Sequence, residues 1–83
     1  VKFKIEYIAT KSRPAYVFAR QMGEGNFTLS LLPRLDSVPI RRDISRPRAL
    51  TTNGEPDFKV FTFTLVTAND LPKLKIGQIV ELK

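Results

Sequence analysis

Apolar and polar positions alternate with period two at the start of this chain. In the segment 2–9, Phe3, Ile5, Tyr7 and Ala9 share one face while Lys2, Lys4 and Glu6 share the other, which predicts a half-buried strand. Residues 10–14 combine Lys, Ser, Arg and Pro and read as a loop. The run Ala15, Tyr16, Val17, Phe18, Ala19 is ambiguous, because Pro14 is compatible with the first turn of a helix. Its aromatic and β-branched content favours a strand ending near Met22. Gly23, Glu24, Gly25 and Asn26 then punctuate the chain before a second apolar run, 27–32, and the economical reading is a β-hairpin.

Pro33, Pro39 and Pro47 discourage helix and predict a long Pro- and Arg-rich loop or edge strand over 33–48. Asn53-Gly54 followed by Glu55-Pro56 is the clearest turn. Residues 57–67 form the longest strand candidate, with Phe58, Val60, Thr62, Thr64 and Val66 opposing Lys59, Phe61, Phe63, Leu65 and Thr67. Its uncharged window 60–66 would be an aggregation hazard at an open edge, so an interior place in the sheet is expected. Asn69-Asp70 with Pro72 suggests a turn or a single helical turn, and residues 76–82 return to extended structure around Gly77.

These elements define an all-β chain of five to six mostly antiparallel strands, folded as a small closed or nearly closed β-barrel or as a short open sandwich. No linker divides the chain, so residues 1–83 read as one β-barrel domain, either a whole small protein or a fragment of a longer one.

Composition narrows the chemistry. With no cysteine and no histidine, the chain has no thiol nucleophile, no disulfide, no thiolate zinc site and no Ser-His-Asp or Cys-His dyad of its own. Absence of cysteine fits a reducing cytoplasm. The four glycines include no phosphate-cradling Gly-x-x-x-x-Gly-Lys arrangement, and the carboxylates form no calcium-loop spacing. The expectation is therefore a non-enzyme without cofactor or metal. No apolar run is long enough to span a bilayer, so membrane insertion is not expected.

Fourteen Lys and Arg against eight Asp and Glu leave a net charge of +6, which favours polyanionic partners such as RNA or a ribonucleoprotein. The densest cluster is Arg34, Arg41, Arg42, Arg46 and Arg48, placed where regular structure is least expected. Guanidinium groups suit planar, bidentate contact with phosphate, and a proline-punctuated loop presents several of them without crowding. Lys11, Arg13 and Arg20 add charge near Tyr7, Tyr16 and Phe18, rings on which unpaired bases can stack. A rival reading is a protein-interaction or structural barrel, motivated by Leu31, Leu32, Leu35, Val38 and Ile40 around the prolines.

The segment Leu74-Lys75-Ile76-Gly77-Gln78-Ile79-Val80-Glu81-Leu82 resembles a strand opening common in the second-domain β-barrel of translational GTPases of the elongation factor Tu type. The order of residues 3–8, 13–18 and 25–27 is similar to that barrel's first strands, with Ser12-Arg13-Pro14 standing where the family usually has Gly-Arg-Gly. The resemblance implies a closed six-stranded barrel without catalysis that docks on RNA or on a neighbouring domain.

Overall fold

The alternating N-terminal segment forms a strand, β1 (Lys2–Ala9), which pairs antiparallel with β2 (Tyr16–Met22). A computed structural model describes residues 1–46, 54 and 59–83. The remaining strands are β3 (Arg34–Leu35), β4 (Val38–Pro39), β5 (Val60–Thr64) and β6 (Ile79–Glu81), with a short 3₁₀ helix (Ala68–Lys73) between the last two. Among the described residues, four strands make one antiparallel sheet in the order β5-β2-β1-β6, and β3 and β4 make a small hairpin.

The hairpin turn is Asp36-Ser37, and Asp36 sits in the left-handed region at φ 55°, a conformation that a short Asx side chain tolerates. The Asp36 carboxylate accepts a hydrogen bond from the Glu81 amide at 2.9 Å, and the Asp36 amide donates to the Glu81 carbonyl at 2.8 Å, which fastens the hairpin to β6. At the opposite edge of the sheet Ile40 bridges Leu65, Ser45 bridges Thr62, and the Arg41 amide donates to the Thr64 carbonyl at 2.8 Å. Backbone hydrogen bonds thus link the segment 34–45 to both outer strands of the large sheet.

The enclosed side is apolar. Phe3, Ile5, Val17, Leu35, Phe63 and Leu65 are almost wholly out of contact with water, joined by Val38, Val80 and Leu74. Phe3 is the hub, meeting Phe63, Phe27 and Phe61 edge to face at ring separations of 4.9, 5.3 and 6.0 Å. Such pairs contribute about 0.5–1.5 kcal/mol each beyond area burial.

Three sequence expectations change. Tyr7 does not share the face of Phe3 and Ile5: the β1–β2 register shifts between Ile5 and Tyr7, so Tyr7 lies opposite Phe18 on the outer face and Ile8 packs on the core in its place. The bulge lets an aliphatic residue fill the interior and leaves the phenol at water. No strand forms over 27–32 and no hairpin follows Gly23 and Gly25, because both edges of β2 are already paired, with β1 and with β5. The loop or edge strand expected over 33–48 holds the short β3–β4 hairpin at residues 34–39. The strand expected over 57–67 is confined to Val60–Thr64 among the described residues and ends the four-stranded ladder instead of lying inside it; its edge is covered by the bridges to Ile40 and Ser45. The expected turn at Asn53 falls outside the described residues, although Gly54 has a positive φ of 80°.

Candidate nucleic-acid interface

The outer face of the four-stranded sheet carries a second aromatic cluster, on the side opposite the Phe3 hub. β2 turns Val17 and Ala19 inward, so Tyr16, Phe18 and Arg20 turn outward. The bulge in β1 adds Tyr7 beside them. Tyr7 and Phe18 lie 5.2 Å apart between ring centres, Tyr16 and Phe18 5.6 Å, and Tyr7 and Tyr16 6.5 Å, all tilted. Tyr7 is 47% exposed and the other two rings are half-buried, so the patch presents ring surface to solvent. Thr64 stands opposite Tyr16 and Thr62 opposite Phe18, placing short hydroxyl side chains beside the rings.

Basic residues rim this patch on three sides. Ile40 and Leu65 are buried and bridge each other, so their chain neighbours Arg41 and Thr64 face outward in one row with Tyr16. Two strand spacings set the Arg41 and Tyr16 backbones about 10 Å apart, a gap a guanidinium arm can reach across. At the hairpin end, Lys11 and Tyr7 border the same surface hollow of about 250 Å³, and exposed Arg13 lies in the same connection. On the far side Lys4 is paired in register with Arg20, whose guanidinium meets the Glu6 carboxylate at 2.9 and 3.3 Å. Arg20 is thus held by a carboxylate and serves the surface less as a cation than as a planar edge.

The arginine cluster does not converge as a set. Arg34, Arg41 and Arg42 border one groove. Arg46 is separate, with its guanidinium 5.0 Å from the centre of the Phe61 ring and a hollow shared with Gln21 and Glu24. Arg48 lies outside the described residues. The residues missed by the sequence reading are Thr62, Thr64 and Lys4. Their signal was present in the alternation of threonine with Phe61, Phe63 and Leu65, and of lysine with Phe3 and Ile5.

Among the described residues, no group of three or more Asp and Glu side chains is placed to hold a metal ion, and no helix is long and apolar enough to cross a membrane. Comparison with protein-family models, curated proteins and solved structures finds no match to this chain.

Proposed function

We propose that this chain is a non-catalytic β module that binds single-stranded RNA across the outer face of its four-stranded sheet. The observation that carries the reading is the cluster of Tyr7, Tyr16 and Phe18, whose rings touch one another on the solvent side of the sheet while a separate set of phenylalanines fills the core. Rings left in water offer flat apolar surface that unpaired bases cover by stacking, at about 1–3 kcal/mol per base. Arg41, Lys11, Arg13 and Lys4 supply cations at the margins, where a phosphate backbone would run beside the stacked bases. We read the two sheets and the bridges between them as a small, nearly closed barrel that holds this face rigid, in keeping with the translational-GTPase resemblance.

Titration of the isotope-labelled protein with a short oligouridylate, followed by heteronuclear NMR at low and moderate salt, tests the reading. Salt-sensitive shifts at Tyr7, Tyr16, Phe18, Thr62 and Thr64 are expected. A spectrum unmoved at low salt refutes RNA binding by this face.

A further inference from the structure

A second surface lies on the other side of Arg41. Leu31 and Leu32 are 80% and 81% exposed, neighbours in sequence with almost no cover, and Val66 is 58% exposed. Together with Pro33 and Pro39 they floor a groove of about 740 Å³ whose rim carries Arg34, Arg41 and Arg42. The topology explains why the leucines stay outside. Both edges of β2 are taken, so residues 27–32 have no ladder to join, and buried Pro33 then turns the chain into β3.

The two features of the groove select the same occupant. Its floor is aliphatic and holds no aromatic ring, so it favours aliphatic side chains over nucleobases. Its rim is cationic: three arginines face one carboxylate, Asp43, and among the described residues none of Arg34, Arg41 and Arg42 forms an ion pair. The volume falls within the range of ligand-sized clefts, about 300–1,000 Å³. We propose that this groove docks a short acidic, leucine-bearing segment of a partner protein. Its aliphatic side chains lie on Leu31, Leu32 and Val66, and its carboxylates meet the guanidinium groups of Arg34, Arg41 and Arg42. This site shares Arg41 with the margin of the aromatic face, but its aliphatic floor is separate, and it does not rest on RNA binding.

The test is fluorescence anisotropy with a dye-labelled peptide of interleaved glutamate and leucine, set against a counterpart with lysine for glutamate. The glutamate peptide binds, the lysine peptide does not, and Arg42→Glu weakens binding by roughly tenfold or more, as loss of a charge-assisted contact does. A Leu31→Ser, Leu32→Ser double variant also loses binding. Because both side chains are exposed its fold is retained, which an unchanged amide spectrum elsewhere verifies. Tyr7→Leu leaves peptide affinity unchanged, and the double serine variant leaves oligouridylate affinity unchanged, so failure of one site is separable from failure of the other. The proposal is overturned if neither peptide binds, if both bind alike, or if oligouridylate displaces the peptide while shifting Leu31 and Val66. A concentration-dependent mass abolished by the serine variant overturns it too, since a second copy of the chain would then cover the groove.

Discussion

Replacing Tyr7 with leucine removes one ring from the outer face while keeping an apolar side chain there. Tyr7 is 47% exposed, with Phe18 its nearest ring at 5.2 Å and Tyr16 beyond at 6.5 Å, so leucine keeps an apolar side chain in place and the contact with Phe18 is the main loss. That contact is worth about 1 kcal/mol, which for a chain of this size lowers Tm by roughly 4–8 °C. Binding responds more strongly if the ring stacks on a base. At about 1–3 kcal/mol per stacked base, Kd for oligouridylate rises by about 5- to 150-fold. The assay is anisotropy of a dye-labelled oligouridylate at fixed low salt, with the native chain, Tyr7→Leu and Tyr7→Phe side by side. Tyr7→Phe retains the ring and is expected to bind within about twofold of the native chain. The reasoning is refuted if folded Tyr7→Leu binds as tightly as the native protein. It is refuted equally if both substitutions weaken binding alike, because the hydroxyl and not the ring would then carry the contact.

If Lys4, Lys11, Arg13 and Arg41 each meet a phosphate, the logarithm of RNA affinity falls with log salt at a slope of about −2.8, a loss of about 50-fold between about 50 and 200 mM. Arg41→Ala should flatten that slope by about 0.7, and an unaltered slope removes Arg41 from the interface. Phe3→Ala empties the hub of the core at about 3–5 kcal/mol, comparable with the whole stability of a domain this small, so circular dichroism should show the cooperative melt abolished; a melt retained near the native Tm contradicts the assignment of Phe3 as hub. Glu24 accepts a hydrogen bond from the Lys59 ammonium at 2.8 Å, and this bond, with the charge of Lys59, holds its carboxyl below the ordinary 4.5. A depressed pKa in the folded state means that the contribution of this pair is complete above the ordinary value and fades as pH falls through the lowered one. Carbon-detected titration of Glu24 should find its midpoint returning to the ordinary value in Lys59→Met, and identical midpoints in the two proteins would show that Lys59 is not the cause.

The strands themselves were legible because their signals are local. Period-two alternation marked β1, aromatic and β-branched content marked β2 and β5, Gly77 preceded β6, and the Asn69, Asp70 and Pro72 cluster marked the 3₁₀ turn. The basic residues were equally visible as a density of charge. Their grouping was not, since Arg41 falls in one row with Thr64 and Tyr16 only through a bridge between residues far apart in the chain, Ile40 and Leu65. Neither could spacing show that Arg20 meets Glu6 or that Arg46 lies over Phe61.

Sequence alone determined an all-β chain with aromatic strands, a strong positive charge and no cysteine or histidine chemistry, because composition and alternation are properties of residues and their nearest neighbours. Only the tertiary structure decided which side of the sheet each ring would occupy. One bulged residue in β1 shifts the alternation, so Tyr7 joins Tyr16 and Phe18 on the outer face while Ile8 packs on the core. The same holds for residues 27–32, whose apolar pattern suits a strand but which follow β2, a strand already paired on both edges. A strand needs an open partner edge as well as the right pattern, and the availability of that edge is settled by the whole fold.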